Sequence, residues 1–241
     1  MTMAMRLERA VVVGASGGIG GALATALAER GAVVHALSRR GVAADDRLVA
    51  GTIDIENEAS IAETASALRA EGPLDLVVVA TGILQTEGAV PEKSYRQLSG
   101  ASFERYFAVN ATGPALVAKH LLPLLRRDGP AVFAALSARV GSIGDNRLGG
   151  WYGYRASKAA LNMIVKTLAV ELARTHPHAA CVALHPGTVA TDLSQPFLRG
   201  VSAARLFSPE TAAGHLLAVI AKVRASDSGS ILAWDGTAIT P

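Results

Sequence analysis

Short apolar runs recur along the chain, with amphipathic helical segments between them. The runs AVVV (10–13), AVVHAL (32–37), LDLVVVA (74–80), AVFAAL (131–136) and ACVAL (180–184) are mostly continuous rather than alternating, and LVAGTI (48–53) and SILAW (230–234) are weaker members of the set. Strands buried on both faces of a parallel sheet read this way, because neither face is left to water. Between the runs, Ile61, Ala65 and Leu68 share one helical face. So do Leu161, Ile164, Val165, Leu168 and Leu172, and so do Leu216, Ile220 and Val223. Strand and helix alternate throughout, which predicts βαβ units and a doubly wound α/β fold with about seven mostly parallel strands flanked by helices. No linker, repeat or low-complexity segment interrupts the alternation, so residues 1–241 read as one domain. Residues 187–208 form the longest stretch without strong periodicity and are expected to be a loop over a ligand site.

Composition narrows the function classes. Hydrophobic residues make up 50% of the chain and charged residues 18%, enough apolar material for a large core. The net charge is +3, and the tightest basic clusters are the pairs Arg39-Arg40 and Arg126-Arg127. Such short clusters do not make a nucleic-acid surface. The lone Cys181 excludes an intrachain disulfide, and its apolar run ACVAL reads as a buried structural thiol. The first residues, MTMAMRLERAVVVGAS, lack the shape of a signal peptide, and no stretch approaches the roughly 18 apolar residues of a membrane span. The expectation is a soluble, cytoplasmic protein.

The first strand runs into GASGGIGGALATALAERG. Glycines let a backbone approach a phosphate, and the N-terminus of the following helix offers free N–H groups and the positive end of its dipole. The common spacing G-x-G-x-x-G is not met, because position 16 is Ser; the pattern is Gly14-x-x-x-Gly18-x-Gly20. A plain flexible turn would show the same glycines, but the strand–loop–helix context points to nucleotide binding. The second strand ends Ser38-Arg39-Arg40 with no carboxylate. An acidic residue there would bind a free ribose 2′-hydroxyl, whereas arginine suits a 2′-phosphate, so the reading favours NADP(H) over NAD(H) and over a merely solvated basic turn.

A second stretch, WYGYRASK (151–158), carries candidate proton chemistry. In a helix, residues four apart share a face and residues two apart do not. Tyr154 and Lys158 can therefore converge on one point, and Tyr152 and Lys158 cannot.

Taken in order, GASGGIG at 14–20, Asp54 after the third strand, Asn110 in VNATGP, a serine closing the fifth strand, YRASK at 154–158 and HPGTVATD at 185–192 resemble the short-chain dehydrogenase/reductase family over essentially the whole length. The segments RVGSI, YRASKAALN and the ending WDG are most similar to the carbonyl-reductase branch that includes the C-factor and Sniffer proteins. The resemblance implies a Rossmann-type fold and a hydride transfer between nicotinamide and a carbonyl or alcohol, with Tyr154 as acid/base. Lys158 would bind the nicotinamide ribose and lower the tyrosine pKa, and Asn110 would hold a water linking Lys158 to solvent. It assigns cofactor contacts to Gly14, Ser16, Gly17, Gly18, Ile19 and Gly20 in the first loop, and to Ser38, Arg39, Asp54 and Ile55 at the adenosine end. Further contacts fall to Ala80, Thr81 and Gly82 after the fourth strand, to Tyr154 and Lys158, and to Pro186, Gly187, Thr188, Val189 and Thr191 beside the nicotinamide. Tyr152 becomes a pocket-lining or packing aromatic. Homodimers or homotetramers are the usual assembly.

Two departures stand out. Where the family usually has Asn-Asn-Ala-Gly after its fourth strand, this chain has Val79-Ala80-Thr81-Gly82, so the first asparagine's contacts must be replaced or lost. Where the family often ends its fifth strand with two serines, the second polarising the substrate carbonyl, this chain has Ser137-Ala138. Ser137 is the nearest hydroxyl and Ser142 the alternative. His176 and His178 flank Pro177 and read as a surface loop rather than metal ligands, and no metal is expected; the role of His185 is open. Leu148, Trp151, Phe197, Leu198, Leu206 and Phe207 suggest an apolar small-molecule pocket. The competing reading is an NADP(H)-binding regulatory or signalling protein with little or no turnover, since fold alone does not establish catalysis.

Overall fold

The computed structural model describes residues 7–42, 45–85, 90–197, 202 and 206–241. In chain order its principal elements are β1 (Arg9–Val13), α1 (Gly18–Glu29), β2 (Val33–Ser38), β3 (Leu48–Thr52), α2 (Glu58–Ala70) and β4 (Leu76–Val79). They continue with α3 (Gly100–Phe107), a π-helical turn (Ala108–Thr112), α4 (Gly113–Leu121), β5 (Ala131–Leu136), α5 (Tyr152–Leu172) and β6 (Ala179–His185). A short β7 (Thr188–Val189), β8 (Leu206–Phe207), α6 (Pro209–Ile220) and β9 (Ile231–Ala233) complete the order.

Seven strands pair in the order β3-β2-β1-β4-β5-β6-β9, every pair parallel. The continuous apolar runs are explained by cover on both faces. Val11 and Val13 of β1, with Val77 and Val79 of β4, pack on the face that meets α2, α4 and α5 through Ile61, Leu121, Leu161 and Val165. Their neighbours Ala10, Val12, Leu76 and Val78 pack on the other face, against Leu23 and Leu27 of α1 and Leu216 and Ile220 of α6. Each such aliphatic side chain, fully buried, contributes about 1.5–3 kcal/mol. Val223 lies past the end of α6 yet remains buried, so its apolar period outlasts the helix.

Strand order reverses between β1 and β4: the chain winds outward from β1 through β2 to β3, then returns to β4 on the opposite side. At such a switch point the loops leaving the strand C-termini part in opposite directions and open a crevice. The 187–208 segment is not the plain loop expected from its lack of period. Thr188–Val189 pairs in parallel with Leu206–Phe207, closing part of it into a two-stranded ribbon. Leu198 lies outside the described residues.

Candidate active site

The crevice is lined by the turns leaving β1, β2 and β4. The first turn contributes Gly14, Ser16 and Gly17. Gly14 has φ +94, and a Cβ on Gly20 would stand 2.2 Å from the Gly14 carbonyl oxygen, so the loop closes only with glycine at 20. Helix α1 begins with Gly17 as its N-cap, without a capping side chain and without an acidic residue in its first turn. Its N-terminal N–H groups are left for an anion. Ile19 is half-buried against the α1–α6 core rather than in the crevice. A Cβ on Gly18 would meet Thr191 Cγ2 at 2.9 Å, which brings the 188–191 segment against the start of α1.

At the other end, Ser38, Arg39 and Arg40 line the crevice beside Ile53, Ile55 and Glu56. The sequence reading found no carboxylate here, because it looked only at the end of β2. Glu56, three residues past Ile53, supplies one: its Oε2 lies 3.5 Å from Arg39 Nη1, and its other oxygen pairs with Arg105. The signal was present in the DIEN that follows β3, next to the Asp54 already singled out. Asp54 itself is turned to local use, Oδ1 accepting from Glu56 N at 3.0 Å. The Ser38 hydroxyl donates to the Gly41 carbonyl. Past β4, Ala80, Thr81 and Gly82 form the opposite wall. Thr81 Oγ1 is buried there without a hydrogen-bond partner among the described residues. An uncapped helix start, a glycine turn, a guanidinium and a buried orphan hydroxyl in one crevice fit a dinucleotide.

The proton pair sits on α5 beside the crevice wall: Gly82 approaches Lys158, and Ile83 packs with Tyr154. Tyr154 and Lys158 are both buried, as their spacing requires of one helical face. Lys158 Nζ donates to the Leu136 carbonyl at 2.9 Å and lies 6.0 Å from the Tyr154 ring centroid. Burial pushes Lys158 down to about 8. Burial, with Tyr106 adding to it, holds the Tyr154 phenol well above its ordinary value. Lys158 Nζ is turned toward the Leu136 carbonyl, and loss of solvent is the main cause of the raised Tyr154 value. Tyr106 and Trp151 meet the Tyr154 ring edge-on at centroid distances of 6.2 and 6.1 Å.

Asn110 occupies the π-helical turn, where a helix register shift re-aims side chains. Its Oδ1 accepts from Ile83 N at 2.8 Å, and its Nδ2 donates to the Ile83 carbonyl at 3.0 Å and to Ser157 Oγ at 3.1 Å. Both donor hydrogens are committed, so the side chain ties the β4 loop to α5. A Cβ on Gly82 would stand 3.4 Å from Asn110 Oδ1 and 3.5 Å from Lys158 Nζ, which places this backbone between the two.

The serine assignment is also corrected. Ser137 is buried, and its hydroxyl donates to Asn162 Oδ1 at 2.7 Å, pointing into α5. Ser142 is equally buried and accepts from Asp145 N at 3.0 Å. The residue that packs in the Tyr154 cluster is Ala138, together with Trp151 and Phe197. Side-chain direction alternates past the strand end, so Ser137 faces away from the position that Ala138 takes.

On the nicotinamide side, Gly187 has φ +81, and a Cβ there would strike Phe207 Cε2 at 2.8 Å. Val189 is buried and Thr188 exposed. Phe207 packs on Trp234 and His215, while Leu148 is 91% exposed. Tyr152, at the start of α5, is half-buried. His185 is pushed down to about 4 by burial, with Nδ1 lacking a partner among the described residues. His176 and His178 lie in the surface turn between α5 and β6, as expected, with Pro177 and His178 exposed, but the His176 side chain turns inward, where it is buried and Nε2 accepts from Arg127 Nε at 3.4 Å. Cys181 is fully buried, and its thiol is raised to about 12. Among the described residues no helix is long and apolar enough to cross a membrane.

A doubly wound parallel sheet, with a glycine-turn crevice at its switch point and a buried Tyr–Lys pair beside the crevice wall, defines a nicotinamide-dependent oxidoreductase. The chain belongs to the short-chain dehydrogenase/reductase family: the model described as short chain dehydrogenase matches residues 8–201. It is 34% identical over 169 residues to the C-signal protein of Myxococcus xanthus, covering 70% of this chain and 93% of that one. It is 31% identical over 235 residues to 1-hydroxy-2-glutathionyl-2-methyl-3-butene dehydrogenase of Rhodococcus sp. (strain AD45), covering 96% and 98%. The NADPH-bound carbonyl reductase from chicken fatty liver shares the fold, with a TM-score of 0.85 at 23% identity over 98% of this chain and 95% of that one.

Proposed function

We propose that this protein is an NADP(H)-dependent carbonyl reductase in which Tyr154 gives a proton to the substrate oxygen. The observation that carries this reading is the burial of Tyr154 and Lys158 on one face of α5, next to Gly82 of the crevice wall. The nicotinamide, when bound, supplies the hydride. The first-loop glycines and the α1 N-terminus hold the pyrophosphate, and Lys158 holds the nicotinamide ribose through its hydroxyls. Thr81, at the family's alanine position, would offer its buried hydroxyl to the cofactor in place of the missing asparagine contacts. Arg39 would meet a 2′-phosphate, for which Glu56 would compete.

Burial keeps the Tyr154 phenol protonated, so its proton is available for a substrate oxygen, although the raised pKa makes it a weaker acid than one tuned toward neutrality. Ala138 carries no hydroxyl, and Tyr154 is left as the principal donor to the developing oxyanion. Trp151 and Phe197, in contact at 5.2 Å, form an apolar wall beside it. This wall suits a substrate with an apolar body next to its carbonyl. Incubation with NADPH and a panel of ketones and aldehydes, followed at the reduced-cofactor absorbance, tests the assignment. Tight NADPH binding with no turnover across the panel would return the regulatory reading.

A further inference from the structure

Glu92 lies between β4 and α3 and is 3% exposed. A buried carboxylate is costly unless something compensates it. Two of its contacts reach the start of the catalytic helix. Its backbone carbonyl accepts from Trp151 N at 2.6 Å, and its Oε2 accepts from Gly153 N at 3.2 Å. The first turn of any helix has N–H groups with no partner inside the helix. In α5 no N-cap side chain serves them, because the N-cap is Trp151, held at φ 52. Glu92 thus caps α5 from a remote segment of the chain.

The surroundings of Glu92 connect this cap to the proton donor. A Cβ on Gly153 would stand 3.1 Å from Glu92 Oε1 and 2.5 Å from Tyr106 Cδ2. The carboxylate and the Tyr106 ring therefore close on the same point of the helix, which only glycine leaves open. Tyr106 meets Tyr154 edge-on, and its hydroxyl donates to the Leu84 carbonyl at 2.8 Å. Trp151, fixed by the Glu92 carbonyl, meets Tyr154 from another side. Glu92 Oε1 is buried and has no hydrogen-bond partner among the described residues.

We propose that Glu92 is a positioning residue for the proton donor: it ties the first turn of α5 to the β4–α3 segment and so sets where the Tyr154 hydroxyl stands. The inference rests on the reaction assigned above. It does not make Glu92 a group that touches substrate.

The test compares Glu92→Ala and Glu92→Gln with the wild type in kcat, KM, NADPH affinity and hydrogen exchange of the Gly153 amide. Small displacements of a catalytic group cost roughly ten- to a hundredfold in rate, so Glu92→Ala should lose kcat by that factor while KM and NADPH affinity stay within about twofold. Its Gly153 amide should exchange faster. Glutamine still offers an oxygen to Gly153 N–H, so Glu92→Gln should keep kcat within about threefold of the wild type and protect the amide. If Glu92→Ala does not fold, Glu92→Asp replaces it, since the shorter side chain leaves the same amide unmet. An unchanged kcat in the shortened variant overturns the proposal. So does a kcat loss matched by an equal loss of NADPH binding, or a glutamine variant as poor as the shortened one. A wild type that binds NADPH and reduces nothing would sink the assigned reaction, whereas Gly153 exchange would still decide whether Glu92 holds α5.

Discussion

Ser137 donates its hydroxyl hydrogen to Asn162 Oδ1 at 2.7 Å, inside the contact between β5 and α5. A hydroxyl has one hydrogen to give, so this bond takes Ser137 out of competition for a substrate carbonyl. Asn162 Nδ2 in turn donates to the Gly141 carbonyl at 3.3 Å, and the pair ties the loop after β5 to the helix that bears Tyr154.

Ser137→Ala should therefore leave turnover within about threefold while costing about 1–3 kcal/mol of stability, because Asn162 Oδ1 loses its donor inside the core. Ala138→Ser should raise kcat, since it adds a hydroxyl within the Tyr154 cluster where the family's second serine stands. Steady-state kinetics and thermal denaturation of both variants check this. A larger kcat loss in Ser137→Ala than the stability change explains would restore Ser137 as the donor.

Tyr154→Phe should keep the fold and cofactor binding and lose reduction by about 10²- to 10⁴-fold, the range of general acid catalysis. Tyr152→Phe should lose far less, because Tyr152 is two residues away and off the Tyr154–Lys158 face. Equal losses at the two positions, measured as kcat under saturating cofactor, would remove Tyr154 from its role.

Arg39→Asp should weaken NADPH by about ten- to a hundredfold, the value of a hydrogen bond to a charged group, and improve NADH. Glu56→Gln should tighten NADPH by about two- to fivefold, because an exposed ion pair no longer competes for Arg39. Fluorescence titration of both cofactors decides. Wild-type affinities that do not distinguish the two cofactors would mean that Arg39 and Arg40 are only a solvated turn.

Lys158 has a folded pKa lowered to about 8 by burial. The unfolded lysine titrates near 10.4, so between about pH 8 and 10.4 the unfolded chain binds more protons and the Lys158 contribution to stability improves as pH rises. Below about pH 8 a buried ammonium is at its most costly. Lys158→Met should accordingly be more stable than the wild type near neutral pH, on the order of 3 kcal/mol, with the gap closing above pH 8. Tyr106, Tyr154 and Cys181 have raised pKa values and titrate in the opposite sense. They are common to both proteins and cancel in the difference. A gap independent of pH from 7 to about 10.5 would show that Lys158 is not desolvated as described.

The strands of the central sheet, the glycine turn and the Tyr154–Lys158 pair were legible in the sequence because each is set by local spacing. A continuous apolar run is the direct record of a strand covered on both faces, and Val11 with Val12 shows it: neighbours in sequence, they serve opposite cores. The four-residue step from Tyr154 to Lys158 is the helical repeat itself. The one-residue step from Ser137 to Ala138 is as local, yet its meaning needed the partner on α5. Only the tertiary structure decided that Ser137 would be captured by Asn162, that Glu56 would come to Arg39 and that His176 would be buried against Arg127. It also decided that burial would hold the Tyr154 proton, and that α5 would take its cap from Glu92. These depend on what the fold brings within 3–4 Å from distant parts of the chain, and on how much water it removes. Periodicity in one strand or helix carries the face a residue lies on, but not the partner or the dielectric it meets there.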